Sequence, residues 1–292
     1  MNLSFNQKTT QLGVLFVLAF IWGSSFILMK RGLDAFSPGQ VAALRMFLSA
    51  TFFIPFTVSH LRTLKRPQVR PLIVASLLGN LIPAFLFTVA EMHISSSLAG
   101  MLNALTPFFA LTLGVVWYQT RVKWWNVGGI FTGLIGAIGL IAAGASFDVS
   151  GDWRYALLVV LATLFYGINV NIIKNKLADL KPVAVASLAL TIAGSLSGIY
   201  LLFTDFQTPL QSPLFWPSLG YILILAFFGT TLALVTFNTL IKATSALFAS
   251  SVTYIIPIFA IIWGLFDNET IAPLQFFWIT IILLGVYLVN KK

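Results

Sequence analysis

The sequence predicts an all-α membrane protein, with ten transmembrane helices arranged as two inverted five-helix repeats around a central cavity. Three observations predict it: too few charges for a soluble chain, ten apolar stretches of spanning length, and a repeat holding an odd number of those stretches. Of 292 residues, 59% are hydrophobic and 9% are charged, against about a quarter charged in soluble domains. So few charges cannot cover a water-facing surface on a chain this size. A helix crossing the hydrocarbon core takes about 20 mainly apolar residues. Ten of them with short loops use up the chain and leave no room for a sizeable soluble domain.

The first span is placed at 11–31. Its apolar run from Leu12 to Met29 is too long for a signal-peptide core and lacks a small-residue cleavage site, so it is read as retained. Ser37-Pro38-Gly39 marks the start of the second, 39–60. Arg66-Pro67 and Arg70-Pro71 precede the third, 71–92, as prolines do at helix starts. Only Glu91, His93 and serines 95 to 97 separate it from the fourth, 95–118. Trp117, Tyr118, Trp124 and Trp125 gather where the fifth span, 124–143, begins, as an interfacial aromatic belt does. The sixth lies at 154–176, and Lys181-Pro182 opens the seventh, 182–204. The eighth and ninth are placed at 216–241 and 245–266, and Ala272-Pro273 opens the tenth, 272–290.

The net charge of +9 is distributed between apolar segments and not along one polar face. That pattern describes membrane topology and argues against nucleic acid. With the N-terminus in the cytoplasm, the inner loops hold 13 Lys and Arg and the outer loops 3 (Lys30, Arg31 and Arg154), with Arg45 inside a span. The bias predicts a multi-pass inner-membrane protein with both termini in the cytoplasm. The absence of cysteine excludes disulfides, haem attachment and thiolate metal sites. No metal-spaced cluster, nucleophile elbow or phosphate-binding loop occurs, which argues against a membrane enzyme, a cofactor or an ATP-driven pump. Nor is there a selectivity-filter loop or a charged ring, as a channel needs.

An internal repeat organises the spans. At a shift of 144, Trp22-Gly23 meets Tyr166-Gly167, Lys30 meets Lys174, Pro38 meets Pro182, and Val41-Ala42 meets Val185-Ala186. At a shift of 150, Gly79 meets Gly229, Ser95 meets Ser245, Ala99 meets Ala249, Pro107 meets Pro257, Ala110 meets Ala260, and Gly114 meets Gly264. The repeats are drawn as 1–148 and 149–292. Five spans per repeat turn the second copy upside down. Inverted repeats are a recurring carrier design, with a small-molecule site near the midplane where the halves meet. Lacking ATP chemistry, such a carrier runs on a gradient of solute or ion. A membrane scaffold or sensor is the rival reading.

The stretch Phe20-Ile21-Trp22-Gly23-Ser24-Ser25-Phe26, with Pro38 and Arg45, resembles the opening of the EamA family of the drug/metabolite transporter superfamily. The segment from Ala90 to Pro107, AEMHISSSLAGMLNALTP, and the segment from Phe228 to Pro257 resemble that family's corresponding junctions in the two repeats. The resemblance covers nearly the whole chain and includes the amino acid exporters of the YddG type. It implies ten helices around a cavity and outward transport of small metabolites, commonly amino acids or drugs. The chain departs from the pattern at Ala189, where Arg45 would recur, at Gln119, the repeat mate of Glu269, and at Glu91 and His93.

Candidate binding residues are polar or aromatic groups at helical spacing inside apolar spans. Asn80, Phe87 and Glu91 share one face, the 11 residues from first to last being about three turns. Trp22 and Ser25, three apart, have the mates Tyr166 and Asn169, also three apart. Thr231 and Asn238 line a face of the eighth span, and Asn103 joins a small-residue stripe around Pro107. Aromatic walls with a few hydrogen-bonding groups suit a small amphiphilic ligand, although ordinary packing explains the aromatics equally well. Glu91 is the acid placed to carry protons or meet a substrate amine, against a reading as a solvated helix end. Arg45 reads as a tie between helix ends or a headgroup contact in preference to a cavity cation. His93 lies about 200° around the helix from Glu91 and reads as an interface residue. Gly129 and Gly133 form a close-packing motif in the fifth span.

Overall fold

Helix starts fall where side chains can satisfy the unpaired N–H groups of a first turn. The Gln40 N–H donates to Ser37 Oγ and the Ser37 N–H donates to Gln40 Oε1, a reciprocal capping box with Pro38 at the first turn. Ser95 Oγ accepts from the Leu98 N–H, and its repeat mate Ser245 accepts from the Phe248 N–H. In the computed structural model, which describes residues 8–62, 64–119, 123–144 and 152–291, these starts open a bundle of helices. They are α1 (Lys8–Leu33), α2 (Pro38–Leu61), α3 (Arg66–Glu91), α4 (Ser96–Tyr118), α5 (Trp124–Gly144), α6 (Asp152–Lys176), α7 (Pro182–Leu202), α8 (Phe215–Ala243), α9 (Phe248–Phe266) and α10 (Pro273–Asn290). A one-turn helix, Gln207–Gln211, lies between α7 and α8. No strand occurs among the described residues. Eight of the helices are long and apolar enough to cross a membrane, and α5 and α10 are shorter in their apolar runs. The boundary drawn between the repeats at 148/149, with Arg121 and Lys292, lies outside the described residues.

Four helices change their winding partway, and the changes recur across the repeat. α3 widens to a π-helix at Leu77–Leu81, and α8 does so at Leu225–Leu232, around Gly79 and its mate Gly229. α4 tightens to a 3₁₀ turn at Asn103–Leu105, and α9 at Ser251–Tyr254. Pro107 and Pro257 follow those turns at the first positions of the resumed α-helices. A missing N–H is harmless there, so each proline opens a segment of regular helix.

Side chains sustain the wide turns. Asn80 Nδ2 donates to Ala75 O, Thr230 Oγ1 to Leu225 O, and Thr231 Oγ1 to Ala226 O. Each reaches the carbonyl five residues back, the one a π-turn leaves in line.

Helices cross between the halves at glycines. α1 packs on α9 where a Cβ on Gly23 would strike Phe259 and the Ile256 carbonyl. α6 packs on α4 where a Cβ on Gly167 would strike the mates Phe109 and Ala110. The Gly129 and Gly133 motif of α5 receives Gly285 of α10 within the same chain. α2 lies along α7, with Thr57 and Thr191 hydroxyls 2.7 Å apart. Outward-facing side chains are apolar to a degree water does not tolerate, among them Phe16, Val58, Val116, Phe131, Leu202 and Phe266. Lipid is the solvent that such a surface fits.

Candidate functional site

The wide turns, the tight turns and the glycine crossings meet at one cavity. α1 gives it Trp22, Ser25, Phe26 and Met29, and α2 gives Arg45 and Met46. α3 supplies Gly79, Asn80, Ala84 and Phe87, and α4 supplies Asn103 and Thr106. From the second half come Tyr166, Asn169 and Val170 of α6, Gly229, Thr230, Leu234 and Phe237 of α8, and Ser250 and Thr253 of α9. Among the described residues, none of α5, α7 or α10 lines it.

Trp22, Ser25, Asn80, Phe87, Asn103, Tyr166 and Asn169 are thus brought together as the sequence pattern suggested. Two of these pairings obey the repeat. Ser25 Oγ lies against Gly229, and its mate Asn169 lays its amide against Gly79. A side chain at either glycine would fill the space that the partner occupies. Trp22 Nε1 donates to the Gly229 carbonyl at 2.9 Å, and the Trp22 ring meets Phe237 edge-on. Phe87 stacks on Tyr166 with centroids 6.1 Å apart and is tilted against Phe26. These contacts give an aromatic wall, interrupted by the Asn80, Asn103 and Asn169 amides.

Glu91, Thr231 and Asn238 stand outside that wall. Thr231 spends its hydroxyl on the Ala226 carbonyl, while the neighbouring Thr230 faces the cavity. The π-turn adds a residue to the helix and so rotates which threonine points inward. Asn238 borders another concavity, with Lys174, Pro182 and Lys242, and its Oδ1 has no hydrogen-bond partner among the described residues. Glu91 ends α3 buried, with neither carboxyl oxygen hydrogen-bonded among the described residues. Its charge interacts with those of Glu269, Arg45 and Lys30. His93 stacks on Tyr155, centroids 3.6 Å apart, as an interface residue does. Sequence reasoning left out Arg45, Met29, Thr106, Thr230 and Thr253. Arg45 was visible as a charge inside a span, and Thr253 as the repeat mate of Asn103.

Arg45 enters the cavity as a cation without a carboxylate. Its Nε donates to Thr230 Oγ1 at 2.7 Å and its Nη1 lies 3.6 Å from Met29 Sδ. The other charges of this region are gathered at one end of the cavity. There Glu269 Oε1 accepts from Lys30 Nζ at 2.8 Å and from the Ser96 N–H and Oγ. Oε2 accepts from the Ser97 N–H and Oγ. Lys30 also pairs with Asp267 at 2.5 Å, and Arg31 pairs with Asp267 and Asp34. The acid therefore caps α4 from the α9–α10 loop and ties it to α1, favoured by the positive end of a helix. Burial works to raise the Glu269 pKa, but the bonds from Lys30, Ser97 and Ser96 outweigh it and hold it down to about 2.

Residues 11–142 and 153–291 each match the EamA-like transporter family. The chain belongs to that family. It is 29% identical to the uncharacterized inner membrane transporter YedA of Escherichia coli K12, over 98% of this chain and 92% of the relative. It is 27% identical to an S-adenosylmethionine/S-adenosylhomocysteine transporter of Chlamydia trachomatis serovar L2, over 96% and 88%. A crystal structure superposes with a TM-score of 0.68 at 15% identity, covering 97% of each chain, which shows a shared fold. Family membership, the transporter relatives and the apolar helices make this a multi-pass inner-membrane protein with a transporter role.

Proposed function

We propose that this EamA protein is a secondary carrier that moves small metabolites across the inner membrane by alternating access, exporting amino acids or related amphiphilic compounds. The observation that carries this is the cavity itself, built from both halves and lined by aromatic rings, amides and one cation. Paired π-turns, paired 3₁₀ turns and paired glycine crossings support a reading as two inverted five-helix repeats. In that reading α5 and α10 complete ten spans, and exchange of conformation between the halves opens the cavity to each side in turn. The charge bias of the loops supports a reading with both termini in the cytoplasm and the Glu269 clasp outside. S-adenosylmethionine, named for one relative, combines an amino acid group with a nucleoside, and a wall of rings and amides suits both. Multidrug or sugar carriage is the alternative within the same reading, and a scaffold would show no flux at all.

Counterflow in proteoliposomes against a panel of amino acids, nucleosides and sugars tests it, with and without a pH gradient. Saturable exchange of at least one class is expected, and its absence across the panel would reject the carrier. Orientation is read separately. Cysteines placed at Lys65 and Gln211 should be respectively protected from and labelled by an impermeant thiol reagent in intact cells.

A second reading, proton coupling, is favoured by Glu91. A buried carboxyl whose oxygens find no partner holds its charge only at a cost. The charges that act on it are those of Glu269 in the α9–α10 loop, Arg45 on α2 and Lys30 on α1. Its protonation in one half-cycle and release in the other would link solute movement to a proton gradient.

A further inference from the structure

Arg45 is the sole charged side chain lining the cavity among the described residues. Its recorded partners are one hydroxyl and one thioether, and a thioether is a weak acceptor. A guanidinium carries five donors, so most of its capacity is unused. No carboxylate lies within 4.0 Å of it among the described residues. Glu91 interacts with it electrostatically without forming an ion pair. An unpaired cation inside a span is expensive and is kept for a reason.

The repeat supplies an internal control on whether that reason is structural. The mate of Arg45 is Ala189, buried in α7, whose carbonyl accepts from Ser76 Oγ at 2.6 Å. On α2, Ser49 Oγ lies 3.0 Å from the carbonyl of Ala226, and Ala226 is the mate of Ser76. Both halves therefore close the same helix junction through a serine and a carbonyl, and one does so with no guanidinium. Packing alone does not require Arg45. Across the same cavity, the Asn169 amide oxygen is buried and accepts no hydrogen bond among the described residues.

We infer that Arg45 anchors a carboxylate of the transported molecule and that Asn169 Oδ1 accepts a hydrogen bond from an amine of the same molecule. A carboxylate matches a guanidinium edge with two parallel hydrogen bonds. Thr230 fixes the Nε side and leaves the terminal nitrogens for the ligand. The Phe87 and Tyr166 stack then faces whatever apolar or ring-bearing group the amino acid head carries. This inference rests on the carrier reading and makes Arg45 its specificity-determining residue.

The test is competition counterflow in proteoliposomes preloaded with a mixture of L-amino acids, using labelled L-phenylalanine and L-methionine as probes. Their C-terminal amides and decarboxylated amines serve as competitors. Wild type is expected to discriminate against the competitors lacking a carboxylate by about tenfold to a hundredfold, the worth of a charge-assisted pair. Arg45→Gln should erase that preference, Arg45→Lys should keep part of it, and Asn169→Leu should weaken amines and amino acids alike. If Arg45→Gln fails to fold, the wild-type competition series decides alone. Equal competition by amides in wild type, or a preference surviving in Arg45→Gln, overturns the inference. Flux of sugars or nucleosides with none of amino acids would sink it while sparing the carrier reading. No flux of any panel member would remove both.

Discussion

At one end of the cavity Lys30 sits between Asp267 and Glu269, and Glu269 takes hydrogen bonds from Lys30 and from the backbone and hydroxyls of Ser96 and Ser97. At the other end the repeat mate Lys174 donates to the carbonyls of Ile241 and Thr244, and Lys242 donates to the carbonyl of Leu180. Gln119 stands where an acid equivalent to Glu269 would recur. Each of the two helix ends turns through a non-glycine residue with positive φ, Gln119 after α4 and Asn268 after α9, one position out of register between the repeats. One scaffold thus closes one end with ion pairs on a helix N-terminus and the other with lysines on spent helix carbonyls. Separating the ionic end strips a carboxylate of its donors, while separating the other costs neutral acceptors that water can replace. The two halves need not share the chemistry of their gates to share a fold.

The largest effect should come from breaking the ionic end. Glu269→Gln leaves half-exposed Lys30 with Asp267 as its remaining acid, and weakening the charge-assisted hydrogen bonds to Ser96, Ser97 and Lys30 costs about 1.5–3 kcal/mol. Thermal melts in detergent should show a large fall in midpoint. The pH dependence has a definite sign. A carboxylate held down to about 2 adds stability that is complete above the usual range near 4 and is lost as pH falls toward 2. The gap between wild type and Glu269→Gln should therefore close on acidification, and a gap that widened would contradict the clasp.

The paired glycines allow a comparison one step smaller. A methyl at Gly79 meets the whole amide of Asn169, whereas one at Gly229 meets the more mobile Ser25 hydroxyl and a leucine side chain. Gly79→Ala should cost about 1–3 kcal/mol as overpacking does, and Gly229→Ala less. Equal losses in the two melts would mean that the Asn169 amide gives way as readily as the Ser25 hydroxyl, and would remove the expected difference between the crossings.

Glu91 has Ile241 as its repeat mate, so this acid too belongs to one half only. Glu91→Gln keeps shape and removes titration. Stability should change by less than about 1 kcal/mol, because no hydrogen bond is lost. The response of flux to a pH gradient should disappear while exchange at equal concentrations persists. Unaltered pH dependence would return Glu91 to the role of a helix end.

The smallest expected change sharpens the contrast. Gln119→Glu supplies an acid at the position equivalent to Glu269, and an exposed pair formed with Lys174, the mate of Lys30, would add at most about 1 kcal/mol. A shift of the melting midpoint with salt would reveal it.

Much of this was legible in the chain. Proline and serine punctuation gave the helix starts, and Trp22, Tyr166, Asn169 and Gly79 fell on the cavity because a repeat preserves the helix face. Thr231 was chosen over Thr230 because ideal periodicity was assumed through Leu225–Leu232, and no residue type signals a π-turn as proline signals a start. Arg45 was set aside because a charge in a span reads alike as a tie or as a site until its partners are seen. Asn238 shares the eighth span's polar face but lies beyond the cavity, a distinction of depth that spacing alone does not carry.

The π-turns bear on how the chain tolerates changes of length. Such a turn holds one residue more than an α-helix needs over the same rise. Deleting a single residue within Leu77–Leu81 or Leu225–Leu232 would let the segment rewind as regular helix, with its two ends still delivered to their loops. The same deletion elsewhere in a span would turn every later residue by about 100° and point lipid-facing side chains inward. These two stretches are therefore places in the bundle where one residue can be lost without losing the fold.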